Sequence, residues 1–216
     1  MALSETFRDA AAKVTGRDVE HVSRFHSRRG EVCHARDLLE IPVLAWQRLT
    51  RTARRSPWMA PAAVRGLNRI LRPEDVLLEL GSGASTRWFA HRVRRVVSLE
   101  PNPEWAERVQ FELRDCGNAE VRSGTIEDLF VATFLEIRPT VLIVDHSDEP
   151  RLSRTDAIRL AVRNGVPPRL IVLDDSDRMD YCLAGKILGA WSANRFTGFR
   201  DKPMRLTETT VFTRVS

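Results

Sequence analysis

Val76-Leu77-Leu78-Glu79-Leu80-Gly81-Ser82-Gly83-Ala84-Ser85-Thr86 is the stretch on which the reading of this chain turns. Five residues, apolar but for one carboxylate, run into a turn of small residues and then into a helix-like segment. A short apolar run bounded by glycine suits a strand covered on both faces. Gly81 and Gly83 let the backbone turn sharply and come close to a ligand. Amides at the start of the following helix then face that ligand. Nineteen residues beyond Gly81, Glu100 closes the next apolar run. A carboxylate at that place can accept hydrogen bonds from ribose hydroxyls.

The same alternation continues on the C-terminal side. Apolar runs at Val76–Leu80, Val96–Leu99, Ala119–Val121, Val141–Val144 and Leu170–Leu173 are separated by helix-like stretches at Thr86–Val93, Pro103–Leu113, Ile126–Leu135 and Thr155–Val162. This predicts an α/β fold with a doubly wound, mostly parallel sheet. Such sheets bind ligands at the carboxyl ends of their strands. Glu79, Glu100, Asp145 and the pair Asp174-Asp175 stand at or next to those ends, so the acids gather on one edge. Arg195–Gly198 and Thr207–Val215 are β-prone with no helix-length segment between them, which predicts antiparallel pairing in the tail.

On the N-terminal side, residues 1–55 read as a helical extension and 56–216 as the main domain. Leu3–Val14 is one expected helix. A second begins near Pro42, which suits a first helical turn, and carries Val43, Leu44, Trp46 and Leu49. Arg48, Arg51 and Arg55 are spaced to share one face, either as a solvated surface or as a stripe facing RNA or another anion. The extension is expected to cover an acceptor site or to form a homodimer contact.

With 216 residues, 43% of them hydrophobic, the chain has enough material for one such domain and its extension. No apolar run approaches the roughly 20 residues that a membrane span needs. Glu5, Asp9, Asp18 and Glu20 interrupt any signal-like pattern, so a cytoplasmic protein is expected. Cys33, Cys116 and Cys182 are too few and too scattered for a disulfide framework. His21, His26, Cys33 and His34 match no zinc spacing. The net charge of +5 permits a nucleic-acid partner without requiring one.

Glu79-Leu80-Gly81-Ser82-Gly83 resembles the first motif of class I S-adenosylmethionine-dependent methyltransferases, which have a Rossmann-like fold. A wider set is similar to a bacterial small-molecule branch of that superfamily. It comprises Ser56-Pro57-Trp58-Met59, Gly81 to Ala90, Ser98 to Trp105, Val172 to Arg178, and Thr209-Thr210-Val211-Phe212. The resemblance implies that Gly81, Ser82 and Gly83 hug the methionine part of S-adenosylmethionine while Glu79 helps hold its amino group. It implies that Ser85 and Thr86 cap the helix and bond the carboxylate, and that Glu100 binds ribose. Pro101, Asn102, Thr125 and Ile126 would border adenine, with Glu127 as a further candidate. Asp145 would lie near the transferring methyl.

Asp145, Asp174 and Asp175 are the candidate catalytic groups, because a hydroxyl or amine acceptor needs its proton removed. His146 ranks below Asp145 for that task. The three aspartates also resemble the ligand set of metal-dependent catechol-type O-methyltransferases, and three hard oxygen donors suit Mg²⁺. That family has a lysine three residues after its first ligand, where this chain has Asp148. The other reading is that Asp174 and Asp175 end a strand and line the acceptor pocket. Ser176 and Asp177 are expected to start a helix, and Arg178 to bind an anionic acceptor or a neighbouring acid.

The expected activity is methyl transfer to a small-molecule acceptor, at oxygen rather than nitrogen. Three alternatives differ in class. An RNA methyltransferase would use the basic N-terminal helices. A nicotinamide-dependent oxidoreductase is disfavoured by Thr86 at the third-glycine position and by Glu79, which would crowd a pyrophosphate. A non-catalytic scaffold would keep the cofactor site without the chemistry.

Overall fold

The computed structural model describes residues 23–50, 56–147, 152–200 and 204–215. The expected helix Leu3–Val14, the residues Arg51, Arg55 and Asp148, and the side chain of Arg48 lie outside them.

Among the described residues, three helices precede the sheet: α1 (Ala35–Leu38), α2 (Glu40–Leu49) and α3 (Pro61–Ile70). The alternating region follows as β1 (Val76–Leu80), α4 (Ala84–Ala90), β2 (Arg95–Glu100), α5 (Pro103–Glu112), β3 (Ala119–Ser123), α6 (Ile126–Ile137), β4 (Val141–Val144), α7 (Arg154–Arg163) and β5 (Leu170–Asp174). A short 3₁₀ turn at Met179–Tyr181 leads into α8 (Cys182–Ile187), and the hairpin β6 (Ser192–Arg200) and β7 (Arg205–Thr213) completes the chain. The seven strands form one sheet in the order β3-β2-β1-β4-β5-β7-β6. β1 to β5 pair in parallel, while β7 runs antiparallel to both β5 and β6.

Why these residues build this sheet is plain from burial. All of β1, β4 and β5 is buried. Alternate residues feed two cores. Leu78, Leu80, Val97, Leu142 and Val144 pack with Phe130, Phe134 and Ile158 on one face. Leu77, Val96, Val141 and Ile143 pack with Leu67, Phe89 and Val109 on the other. Each fully buried leucine or phenylalanine contributes about 1.5–3 kcal/mol relative to exposure.

Two helices go beyond the pattern read from sequence. α3 begins on Pro61, whose missing N–H costs nothing in a first turn, and it buries Ala63 and Leu67. α8 is too short to show a helical period. α4 starts at Ala84 rather than Thr86, because the Thr86 hydroxyl accepts the Gly83 amide at 3.0 Å and closes the first turn there. β6 spans nine residues rather than four, since its register with β7 is unbroken from Ser192–Thr213 to Arg200–Arg205.

Residues 23–50 pack beside the hairpin. The Leu206 amide bonds to the Arg24 carbonyl at 2.9 Å, Thr197 donates to the buried Asp37 at 3.1 Å, and Phe25 meets Phe199 edge to face. Because β6 is parallel to β5, its last residue, Arg200, reaches the same sheet edge as the carboxyl ends of β1 to β5. Among the described residues no helix is long and apolar enough to cross a membrane.

Candidate functional site

The turn after β1 is built from inside outward. Glu79, 1% exposed, lies on the face of β1 that looks towards α4 and opposite Ser98 of β2. It accepts hydrogen bonds from Ser85 at 2.5 Å, from Thr86 at 2.6 Å, and from Ser98. Burial raises its pKa to about 7 despite those three donors. Above it, Gly81 takes φ 91°, and a Cβ there would stand 2.6 Å from the Asp145 carbonyl oxygen. The glycine is thus required by the backbone of the neighbouring strand end. Gly83 is different: it is extended, and a Cβ would meet nothing within 4 Å.

Glu100 completes this half. The Ser82 amide and hydroxyl both donate to its Oε2 at 3.0 Å, and the Asn102 amide donates to Oε1 at 3.0 Å. The Ser82 carbonyl accepts from the Trp105 indole at 2.9 Å, so the first residues of α5 brace the turn from outside. Asn102 caps α5 through its side chain, and both Pro101 and Asn102 are exposed. Thr125 caps α6 by accepting the Asp128 amide at 3.2 Å. Ile126 is fully buried in the core, and Glu127 is half-buried. Glu79, Gly83, Ser85 and Thr86 therefore form one hydrogen-bonded set and Ser82 with Glu100 a second, the two adjoining at the Ser82–Gly83 peptide.

The second half lies at the ends of β4 and β5. Asp145, 29% exposed at its side chain, faces Arg154 at 3.2 Å. Asp174 is wholly buried and accepts from Thr209 at 2.6 Å and from Arg200 at 3.1 Å. Asp175 has a left-handed backbone, φ 51°. It accepts from Arg200 at 2.5 Å and Thr207 at 2.9 Å, and lies 3.3 Å from Arg28. A non-glycine residue held in that conformation at a strand end marks a site that the surroundings over-determine.

The electrostatics divide the three acids. Burial pushes Asp145 up to about 6, with Arg154 and Arg200 working against the rise. Burial and the neighbouring Asp145 charge push Asp174 higher still. Burial would raise Asp175 too, but Arg200 and Arg28 outweigh it and hold this carboxyl well below the usual range. One acid is thus kept ionised, one is kept neutral near pH 7, and one titrates between them.

The donor set does not fit a divalent cation. Arg154, Arg200 and Arg28 occupy the oxygen lone pairs that Mg²⁺ would need, and their positive charges stand where its charge would stand. Among the described residues no group of three His, Cys, Asp or Glu side chains is placed to hold a metal. These three arginines escaped the sequence reading. A cluster of acids on a buried edge demands compensating cations, but among 34 basic residues nothing local identifies which ones arrive.

Other expectations change in place. Ser176 and Asp177 do not start a helix. Ser176 bonds Glu208 and Thr210 of β7 at 2.9 and 2.7 Å, and Asp177 takes the Arg28 amide and guanidinium at 2.8 and 3.1 Å. Arg178 donates to the Tyr181 hydroxyl at 3.1 Å. His146 is buried, and its carbonyl accepts from Arg154 at 2.6 Å. Cys33, Cys116 and Cys182 are free thiols.

No protein-family model matches the chain, and no curated protein matches it in sequence. Solved structures do match in fold. An O-methyltransferase from Bacillus cereus in complex with S-adenosylhomocysteine superposes with a TM-score of 0.56 at 17% identity, covering 83% of this chain and 97% of its own. A precorrin-8w decarboxylase from Methanobacterium thermoautotrophicum gives 0.51 at 18% identity, covering 74% and 94%. A 23S rRNA methyltransferase gives 0.51 at 14% identity, covering 74% and 70%. The chain has the Rossmann-like fold of class I S-adenosylmethionine-dependent methyltransferases. Neighbours this diverse share an architecture and not an acceptor.

Proposed function

We propose that this chain transfers a methyl group from S-adenosylmethionine to a small-molecule acceptor, at oxygen. The observation that carries the reading is the turn from the buried β1 into α4, with open space over Gly83 and with Glu100 and Asp145 at the adjoining strand ends. That arrangement fits the cofactor: backbone amides of Ser82 and Gly83 border the methionine part, and the Glu79 cluster lies beneath its ammonium. Glu100 accepts from the ribose hydroxyls, and Pro101, Asn102 and Thr125, with the backbone of Ile126, border the adenine.

When bound, S-adenosylmethionine would supply an electrophilic methyl carried on its sulfonium. Asp145 receives the proton of the acceptor hydroxyl, since it is the partly exposed acid of the edge. Asp174 and Asp175 hold Arg200 in place, and most of the rate gain comes from alignment of the two reactants. No step uses a metal.

Calorimetric titration with S-adenosylmethionine, S-adenosylhomocysteine and NAD tests the reading. Binding of the first two and not of NAD is the expected result. Binding of NAD alone overturns it in favour of an oxidoreductase.

A further inference from the structure

A cavity of about 480 Å³ lies between α2, the Ser56–Met59 loop, the start of α3 and the end of β6. Its size falls within the range of small-molecule sites. Leu39, Val43, Leu44, Trp58, Met59 and Phe199 give it apolar walls. Its charged residues are Arg36, Arg65, Arg200 and Glu40. Arg65 pairs with Glu40 at 2.7 Å, Arg36 lies 3.9 Å from Asp37, and Arg200 pairs with Asp174 and Asp175, so the lining itself holds three guanidinium groups to one carboxylate.

Arg200 ties this cavity to the acid edge. Its hydrogen bonds to Asp174, Asp175 and Thr207 all use the single nitrogen Nη2. Its Nε is enclosed and has no hydrogen-bond partner among the described residues. An enclosed N–H without an acceptor is costly, and a turn of the side chain that opened it to the cavity would let an oxygen anion take it in a charge-assisted hydrogen bond. Asp174, beside Asp145 in the paired strands β4 and β5, takes Arg200 on one oxygen, so the base of the cavity adjoins the candidate base.

We propose that this cavity is the acceptor-binding chamber and that it selects a ring-sized apolar acid bearing a hydroxyl, whose carboxylate is held by Arg200. The inference rests on the methyl-transfer reading and names the substrate class for the same site. It also gives Arg200 the role of a specificity residue: a guanidinium holds the anionic oxygen at an edge whose acids do not suit a metal.

The test uses the full chain and simple probes: benzoate and 4-hydroxybenzoate against benzyl alcohol and benzylamine. Binding is read by calorimetry and by ligand-observed NMR, with and without saturating S-adenosylhomocysteine. The acids should bind at least about tenfold more tightly than benzylamine. Arg200→Gln should weaken the acids about tenfold or more, the worth of one charge-assisted bond, and bring them level with benzyl alcohol. Val43→Trp, which fills the cavity from a half-exposed position away from the acid edge, should weaken all the probes, so the test stands even if Arg200→Gln does not fold. Val43→Trp should keep the wild-type affinity for S-adenosylhomocysteine. Benzylamine binding as tightly as benzoate, no binding of either acid, or acid binding unchanged in Val43→Trp overturns the proposal. Failure of S-adenosylhomocysteine to bind, read separately, counts against the methyl-transfer reading instead.

Discussion

Gly81 and Gly83 look alike in the sequence and do different work. Gly81 combines a left-handed φ of 91° with a Cβ position 2.6 Å from a backbone oxygen, so Gly81→Ala must shift the end of β4. We expect a loss of about 1–3 kcal/mol or more, read as a lower midpoint in thermal unfolding. Gly83 is extended and opens on free space, so Gly83→Ala should keep the midpoint and weaken binding of S-adenosylmethionine. Equal stability losses in the two variants would contradict the assignment. Asp145 carries a pH prediction. Its folded pKa is raised to about 6, and only the carboxylate accepts a proton, so turnover should fall as the pH drops through about 6. Asp145→Asn should remove that limb of the profile; an unchanged acid limb would assign the base elsewhere. The glycines and the acid were visible in the sequence, because each stands in a local pattern of strand, turn and helix. The difference in their tasks was not, because it depends on what lies across the sheet.

The parallel strands are held at their two ends by different chemistry. At the amino end, Asp75 before β1 takes Thr140 at 2.7 Å, the Arg72 amide at 2.7 Å and the guanidinium of Arg169, joining the starts of β1, β4 and β5. Asp75 is 2% exposed. Burial would raise its pKa, but the Arg169 and Thr140 hydrogen bonds outweigh burial and lower it. Its ionised form thus stabilises the fold above the unfolded value of 3.8, and that contribution is lost as the pH falls through the lower folded value. Arg169→Ala should cost about 3–5 kcal/mol, since it leaves a buried carboxylate unpaired. Affinity for S-adenosylhomocysteine should not change, because the clamp lies at the edge opposite the site. A lost affinity at intact stability would refute that separation. At the carboxyl end the acids instead surround space and guanidinium groups. The strands themselves were readable from unbroken apolar runs. β6 was underestimated because its outer residues are exposed, so its hydrophobic pattern is weak and its length is set by pairing with β7.

Besides their contacts with the hairpin, residues 23–50 are fastened to the domain by a buried charge cluster: Arg28 meets Asp177 and Asp175, and all three are largely buried. Asp177→Ala should speed hydrogen exchange in residues 26–38 and leave β1 to β5 protected; uniform loosening would show that the contact serves the whole core. A second prediction concerns metals: turnover should survive a chelator and gain nothing from added Mg²⁺, because arginines already take the oxygens of Asp145, Asp174 and Asp175. Loss of activity with chelator and its return with Mg²⁺ would overturn this view of the edge. The amino-acid order was enough to place an α/β sheet with an antiparallel tail and to bring Glu79, Glu100, Asp145, Asp174 and Asp175 to one side of it. Apolar runs, turn glycines and strand–helix alternation are local signals, and a parallel sheet converts them into position with little freedom. Which cations meet those acids, and which loop and helix wall off a chamber beside them, came only with the folded chain. Arg28 and Asp177 are 149 residues apart, and partners so distant are chosen by the crossing of β7 between β5 and β6, which no local pattern encodes.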